Sequence, residues 1–179
     1  AAFYTQQYID GPDLSALSGK PLDQVLAPIG LIADALRYAH SKGVVHRDIK
    51  ASNILLDRNG APYLAAFGVS APVGAQTGGG SAIAQSPQSR AGDAAAPSDD
   101  VFALGGLIYE LVSGRSPYSS ADPLADIQSK TPDGLRSADG VPVPAAVQRL
   151  VASMLEKDAA LRPSAEQVAA GRSEERRVG

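Results

Sequence analysis

Three side chains suited to acid, base or metal chemistry lie within eight positions of one another near the first third of the chain. Residues 46–53 read His-Arg-Asp-Ile-Lys-Ala-Ser-Asn, and the reactive members are Asp48, Lys50 and Asn53. An ionised Asp can accept a proton, a Lys ammonium offsets negative charge, and an Asn oxygen can bind a hard divalent cation. This cluster is therefore the first candidate for a reactive site.

A helix and a hairpin must position the cluster. Apolar residues spaced three and four apart predict a helix over residues 22–39, with Pro28 as a possible kink or later start, and this helix leads directly into the cluster. Residues 53–56 and 61–64 are strand candidates joined by the turn 57–60, whose sequence is Asp-Arg-Asn-Gly. The cluster is thus predicted to lie between a helix and a hairpin.

Three further helices are predicted after a segment of low complexity. Residues 69–97 are rich in Ala, Gly, Ser and Gln, so we expect a mobile segment in which hydroxyls such as those of Thr77 and Ser81 are solvated. The predicted helices run from a cap at residues 98–100 to Gly114, over residues 145–156, and onward from a capping box that begins at Ser164. The first of these three is nearly all apolar and should be the most buried.

Composition excludes several classes of protein. The chain has 179 residues, no Cys and a formal net charge of -3. The absence of Cys excludes a disulfide framework and a Cys-ligated metal site, and the mild acidity argues against a polycationic nucleic-acid binder. No apolar run reaches the roughly 18 residues that a membrane span needs. We therefore expect no nucleic-acid partner, no membrane segment in this chain and a cytoplasmic location, although a full-length protein could carry an anchor elsewhere.

With these motifs in view, the chain resembles the eukaryotic-type protein kinase superfamily, in its bacterial Ser/Thr branch. The catalytic loop of that family has the form His-Arg-Asp-x-Lys-x-x-Asn, which residues 46–53 match at all five fixed positions. The resemblance implies that Asp48 accepts the proton of the attacked hydroxyl, that Lys50 offsets phosphoryl charge and that Asn53 binds Mg²⁺. It also implies ATP as the phosphoryl donor and a protein as substrate or regulatory partner.

Other motifs extend the resemblance over most of the chain. Residues 4–14 look like the strand and hinge that precede the large lobe of a kinase. By this resemblance the backbone of Gln7 and Ile9 binds adenine, Asp13 reaches the ribose and Leu55 forms the floor beneath the adenine. The start of the apolar helix, with its Asp100, resembles the helix that braces the catalytic loop, and the Leu-Arg-Pro-Ser that ends at Ser164 resembles the late Arg-Pro motif.

Two departures from the family pattern bear on activity. Ala66 stands where the Asp-Phe-Gly motif has its metal-binding Asp, and a methyl group offers no lone pair to Mg²⁺. Gln88 stands where the Ala-Pro-Glu motif has its Glu, so it can offer Arg162 a neutral hydrogen bond but no ion pair. We therefore expect phosphoryl transfer to be severely impaired.

The resemblance implies a mainly helical chain within the α+β fold of the family. Residues 1–171 are expected to form the C-terminal large lobe with its hinge strand, truncated at both ends and without the small N-terminal lobe. Residues 172–179 match a reading frame of a common sequencing adapter, so we expect them to be a scar of sequencing or cloning. Without a small lobe, we expect no binding of ATP and Mg²⁺ by the chain alone.

Three functions stay open at this point. The chain could derive from an active Ser/Thr protein kinase, from a pseudokinase that works as a regulatory or interaction module, or from a small-molecule phosphotransferase of related fold. Ala66 and Gln88 favour the second function, whereas Arg47 and Lys50 argue against the third.

Overall fold

The computed structural model describes residues 7–76 and 80–175, and helices dominate it. Thr77, whose hydroxyl is expected to be solvated, lies outside the described residues. The predicted mainly helical composition is confirmed. Parts of two predicted segments, residues 4–6 of the hinge strand and residues 176–179 of the expected scar, lie outside the described residues. Within the described ranges the elements are α1 (Leu22–Leu26), α2 (Ile29–Ser41), β1 (Val44–Val45), β2 (Ile54–Leu56), β3 (Pro62–Leu64), β4 (Ala71–Pro72), α3 (Pro87–Ala91), α4 (Pro97–Ser113), α5 (Pro123–Ser129), α6 (Ala145–Met154) and α7 (Ala165–Glu175).

The helix predicted before the cluster is two helices, α1 and α2, separated at Pro28. Proline has no N–H to continue the hydrogen-bond ladder, and the new helix begins where the Pro28 carbonyl accepts the N–H of Ile32 at 3.0 Å. One face of α2 is buried and contains Ile32 and Leu36. The helix stops at Lys42, and Gly43 then takes a left-handed φ of 73°, as the Gly stop predicted.

Helix α4 lies at the centre of the molecule, as the sequence predicts. Its N-cap is Ala96, two residues before the predicted cap at Ser98, because Pro97 occupies the first turn and the Asp99 carboxylate accepts the N–H of Ala96 at 2.9 Å. Nearly every residue from Asp99 to Val112 is buried. The helix ends at Gly114, whose φ is 71°.

The last two helices follow the predicted pattern with shifted ends. Helix α6 packs against α4 and stops two residues before the predicted Glu156. Before α7, the Ser164 N–H donates to the Gln167 side-chain oxygen at 2.8 Å and the Gln167 N–H donates to the Ser164 hydroxyl at 3.2 Å, which is the predicted capping box. Helix α7 packs against α2 and continues past Gly171 to Glu175.

Two short antiparallel strand pairs frame the reactive cluster. Strands β2 and β3 form the predicted hairpin, with Leu55 opposite Tyr63. Its turn is closed by the Asp57 carboxylate, which accepts the backbone N–H groups of Asn59 and Ala61. Strand β1, which directly precedes the cluster, pairs with β4.

The prediction of an unpacked segment over residues 69–97 is wrong for the parts that the structure describes. This segment contains β4 and α3, and its small residues Ala71, Ala84 and Ser86 are buried. Small side chains permit close backbone packing, so low complexity here reflects tight space instead of disorder. Within the described ranges, the structure contains no helix that is both long and apolar enough to cross a membrane.

Candidate active site

A buried carboxylate at the start of α4 holds the backbone of the reactive loop. The side chain of Asp100 accepts the N–H of His46 at 2.8 Å and the N–H of Arg47 at 2.7 Å. A third contact, at 2.8 Å, joins Asp100 to the Nε2 atom of His40 on α2. Arg47 has a left-handed φ of 71°, a strained conformation for a residue with a side chain, and the contacts with Asp100 stabilise it.

The ring of His46 supports the same loop from within the core. His46 is fully buried, and its Nε2 lies 2.8 Å from the carbonyl oxygen of Ala65 while its Nδ1 accepts the N–H of Asp48 at 3.3 Å. The edge of the ring also meets Phe67, with centroids 4.5 Å apart. These contacts connect the loop to the segment after β3.

The structure brings Asp48, Lys50 and Asn53 into direct contact. The Lys50 ammonium lies 3.1 Å from Asp48 Oδ2. The Asn53 side-chain nitrogen donates to the same oxygen at 2.7 Å and to the Asp48 carbonyl at 2.8 Å. The amide therefore turns its nitrogen toward Asp48 and leaves its oxygen for any other ligand.

Ser81 completes this cluster, and the sequence did not predict its contacts. Its N–H donates to Asp48 Oδ1 at 2.7 Å, and its hydroxyl lies 2.5 Å from the Lys50 ammonium. The expectation of a solvated hydroxyl is wrong for Ser81. No sequence signal identifies it, because Ser81 lies in the low-complexity segment after the hairpin, which has neither the spacing of a helix nor that of a strand.

Hydrogen bonds outweigh burial at the Asp48 carboxyl. Burial raises its pKa, but the N–H and hydroxyl of Ser81, the ammonium of Lys50 and the amide of Asn53 together lower it to about 2. Asp48 is therefore ionised near neutral pH, ready to accept a hydrogen bond from an approaching hydroxyl. So low a pKa makes it better suited to orienting that hydroxyl than to removing its proton early in the reaction.

Ala66 has a left-handed backbone conformation that is uncommon for Ala. Its φ and ψ are 61° and 46°, in the left-handed region, where Asp and Asn are several-fold enriched and Ala is not. The conformation is held by its neighbours, since Ala65 donates its N–H to the Asn53 carbonyl at 2.9 Å and Phe67 begins a 3-10 turn. The local backbone thus retains the shape that suits an Asp, without the carboxylate.

The residues present do not fit the Mg²⁺ that the resemblance implies. Protein-bound Mg²⁺ is held by one or two carboxylates in octahedral oxygen geometry, and here the resemblance offers only the Asn53 oxygen while Ala66 contributes none. Across residues 7–76 and 80–175, no group of three or more His, Cys, Asp or Glu side chains could hold a metal ion. The donor set is incomplete at the position of Ala66.

Three of the four residues expected to face the nucleotide line the same cavity. Gln7, Ile9 and Leu55 line one open cavity of about 480 Å³, which also contains Ala66. Asp13 does not line this cavity, although its backbone forms a single bridge with Leu55, and its side chain accepts the N–H of Ser15 at 2.9 Å. Residues 7–10 form neither a helix nor a strand, and residues 4–6 of the predicted strand and hinge lie outside the described residues, so the hinge strand stays a prediction.

Arg162 makes the predicted neutral hydrogen bond to Gln88, at 2.6 Å. The guanidinium is nevertheless well satisfied, because it also donates to the carbonyls of Glu156, Ser98 and Lys157 and lies 4.8 Å from the centre of the Phe102 ring. Burial lowers the pKa of Arg162, and the charge of the buried Asp99 partly offsets that effect. The missing Glu therefore does not leave a bare buried cation.

Comparison with known proteins gives one consistent family. Residues 18–172 match the protein kinase domain. The chain is 35% identical over 176 residues to the serine/threonine-protein kinase PkaA of Streptomyces coelicolor, covering 91% of this chain and 32% of that protein. It is 30% identical over 160 residues to the serine/threonine-protein kinase PknB of Mycolicibacterium smegmatis, covering 78% of this chain and 25% of that protein. An Arabidopsis thaliana protein kinase and PP2C-like domain-containing protein is 32% identical over 187 residues, covering 82% of this chain and 28% of that protein. The chain thus spans about a third or less of the length of these relatives.

Proposed function

The chain belongs to the protein kinase family, and from this premise we propose that it is the large lobe of a Ser/Thr protein kinase-like protein with impaired phosphoryl transfer. The observation that carries the proposal is the contrast between the complete cluster of Asp48, Lys50 and Asn53 and the methyl group at Ala66. The groups that orient a hydroxyl are present, whereas a ligand for the metal is missing.

The proposed roles of the cluster follow from its contacts. Asp48 accepts a hydrogen bond from the hydroxyl of a protein Ser or Thr and orients its oxygen for attack. Lys50, 3.1 Å from Asp48, supplies a positive charge beside the transferred group. Asn53 orients the Asp48 carboxylate through one hydrogen bond, donates a second to the Asp48 backbone carbonyl, and turns its own oxygen away from both.

ATP is the proposed donor, and its base is placed in the open cavity of Gln7, Ile9 and Leu55. Leu55 contributes an apolar floor, and Gln7 and Ile9 contribute backbone groups for the adenine edge. We propose that Asp13 reaches the ribose only after its contact with Ser15 is released. Because ATP is an intracellular donor, the proposed place of action is the cytoplasm.

A regulatory or interaction module is the second candidate function. The observation that favours it is that the contacts of Asp100, His40 and His46 brace the loop from within the protein. A pseudokinase needs such a stable lobe as a binding surface but does not need the carboxylate that Ala66 replaces. Both candidates share the same fold and differ in whether residual phosphoryl transfer occurs.

Phosphoryl transfer by the longest natural polypeptide that contains this chain tests the proposal. We expect weak transfer to a Ser/Thr protein, at least a tenfold gain in Ala66→Asp, and loss of transfer in Asp48→Asn. Ala66→Gly is the matched control, because it suits the same backbone conformation but adds no ligand. Wild-type turnover in the ordinary range of about 1–100 s⁻¹ would contradict the impairment.

Two other outcomes separate the alternatives. If Ala66→Asp also stays inactive toward proteins while the lobe binds a partner, the interaction module is the correct function. Transfer to an aminoglycoside or a choline-like compound, in place of protein, would instead support a small-molecule phosphotransferase.

A further inference from the structure

A second cavity opens between α4, α6 and residues 131–135, which follow α5. It has a volume of about 360 Å³, within the roughly 300–1,000 Å³ that is usual for small-molecule sites in proteins. Asp48, Lys50 and Ser81 do not line it, so it is separate from the reactive cluster. We call it the α6 cavity.

Buried apolar side chains form the inner wall of the α6 cavity. Val151 lies on α6 and Leu155 directly after it, and their spacing of four residues places them on one face. Leu135 contributes from the segment after α5. Ala152 also lines the cavity and is exposed, so the cavity is open to solvent. A wall of this kind favours a ligand with an apolar body.

Tyr109, on α4, supplies a polar group to this apolar wall. The side chain is almost fully buried, with 2% of its surface exposed, and it lines the α6 cavity. Its hydroxyl makes no hydrogen bond with any residue in the described part of the chain, yet the oxygen is not closed off from solvent. Tyr109 therefore presents an unused donor and acceptor to the cavity.

Three of the four charged side chains on the cavity are already engaged. The Asp133 carboxylate lies 3.9 Å from the guanidinium of Arg115. The Lys157 ammonium donates to the Tyr118 hydroxyl at 2.9 Å, and Glu156 interacts electrostatically with the same ammonium. The charges of these three side chains are thus met within the protein.

Arg149 is the fourth charged side chain on the cavity. It is exposed on α6, and its guanidinium makes neither a hydrogen bond nor an ion pair with any residue that the structure describes. The planar guanidinium matches a carboxylate, which can accept two of its N–H groups at once. The unbalanced positive charge of Arg149 therefore favours an anionic ligand.

The two unused polar groups distinguish between kinds of carboxylate. Arg149 is exposed at the mouth of the cavity, whereas Tyr109 is buried at its inner end. The tail of a fatty acid would close the Tyr109 hydroxyl off from water without giving it a partner, which is unfavourable. A ring that carries a polar atom can bond to this hydroxyl and still pack on the apolar wall.

We propose that the α6 cavity binds a small aromatic carboxylate whose ring carries a polar atom. The carboxylate pairs with Arg149, and the polar ring atom forms a hydrogen bond with the Tyr109 hydroxyl. The ring packs on Leu135, Val151 and Leu155. This binding site goes beyond the function proposed above, because none of these five residues has a part in the proposed phosphoryl transfer.

Fluorescence anisotropy with indolepropionate and this chain tests the proposal. Indolepropionate combines a carboxylate with a ring N–H, and the chain contains no Trp whose fluorescence would interfere. We expect saturable binding of indolepropionate and weaker binding of the neutral indolepropionamide. Octanoate, which has a carboxylate but no polar atom on its tail, should compete with indolepropionate only as a weaker ligand.

Two variants measure the two polar contacts separately. Arg149→Gln should weaken the binding of indolepropionate about threefold to fivefold at low salt, since an exposed ion pair is worth little more, and should leave the amide unaffected. Tyr109→Phe should weaken it about threefold to tenfold, the range for one hydrogen bond. The melting temperature of Tyr109→Phe should not fall, because the hydroxyl has no partner within the described part of the protein.

Two further variants separate the cavity from general effects of charge and folding. Arg37→Gln removes a guanidinium from α2, which does not line the cavity, and should leave binding unchanged. Ala152→Leu adds a larger side chain at an exposed position on the cavity wall and should abolish saturable binding. Its melting temperature should stay close to that of the wild type, because Leu is also a strong helix former.

Several results would overturn the proposal. These are no saturable binding of indolepropionate, equal binding of the acid and the amide, and binding of octanoate at least as tight as that of indolepropionate. Unchanged affinity in Tyr109→Phe, normal binding by Ala152→Leu, or equal losses in Arg149→Gln and Arg37→Gln would overturn it as well. None of these results bears on phosphoryl transfer, which the variants of Ala66 measure separately.

Discussion

Replacing Ala66 by Gly should stabilise the lobe, although the change removes a side chain. Ala66 has a φ of 61° and a ψ of 46°, and an L-residue in this left-handed region is about 1–2 kcal/mol less stable than in the right-handed one. Glycine occupies the region without that penalty. It also gives the unfolded chain more conformational freedom, which opposes the gain by about 0.4–1 kcal/mol.

The difference between these two effects sets the expected size. We expect the free energy of unfolding of Ala66→Gly to exceed that of the wild type by about 0.5–1 kcal/mol. For a chain of this length, that corresponds to a rise of about 1–4 °C in melting temperature. Ala66→Val should move in the opposite direction by about 1–3 kcal/mol, since a β-branched residue is poorly tolerated in the left-handed region.

Urea and thermal unfolding of the wild type and the two variants measure this order directly. If Ala66→Gly is less stable than the wild type, or if Gly and Val have the same effect, residue 66 does not have the left-handed conformation and the reasoning fails. Ala66→Asp adds a second test without any assay of activity. If the missing ligand is the cause of impairment, Mg²⁺ should stabilise Ala66→Asp more than it stabilises Ala66→Gly.

Three further predictions use the core and its titrating groups. Gly105→Ala should destabilise the lobe by about 1–3 kcal/mol in urea unfolding, because a Cβ there comes within 2.8 Å of Met154 Cβ. Gly106→Ala should stabilise the lobe by about 1 kcal/mol, because a Cβ there meets no atom within 4 Å and Ala favours a helix more than Gly does. Asp100→Asn should lower the free energy of unfolding by about 2–3 kcal/mol, since a neutral amide cannot replace both accepting oxygens; a loss below about 0.5 kcal/mol would contradict the bracing role. Burial and the nearby Arg162 lower the pKa of Lys157 to about 8 from an ordinary value of 10.5. The unfolded chain then binds more protons than the folded one between pH 8 and 10, so Lys157 should make stability rise with pH across that window, and Lys157→Met should reduce the slope measured by urea titration.

The sequence predicts the long elements better than the short ones, for a physical reason. The apolar stripe of α4 and the capping box at Ser164 are local patterns, and the structure contains both. The sequence does not decide between a kinked helix and a new helix at Pro28, because proline permits either. Low complexity misled the prediction for residues 69–97, since the small side chains of Ala71 and Ala84 fill tight spaces that only the tertiary structure creates.

In the candidate site, too, contacts between residues close in sequence are easier to predict than contacts between distant ones. Asp48, Lys50 and Asn53 lie close in sequence, so their contact could be predicted from the resemblance. Ser81 lies 31 residues after Lys50, and His40 lies 60 residues before Asp100. Such contacts depend on how loops return to the core, and neither spacing nor composition encodes that path. The functional roles of all these residues stay predictions until the assays above are done.

The left-handed backbone at Ala66 has a consequence for mutations at this position. The contacts that fix the conformation belong to neighbours, through the N–H of Ala65 and the packing of His46 on Phe67. A mutation from Asp to Ala can therefore remove the metal ligand without changing these neighbouring contacts. The reverse mutation would place a carboxylate on a backbone that already has the suitable conformation. If the missing ligand at Ala66 impairs transfer, as we propose, activity and fold can be gained or lost separately at this position.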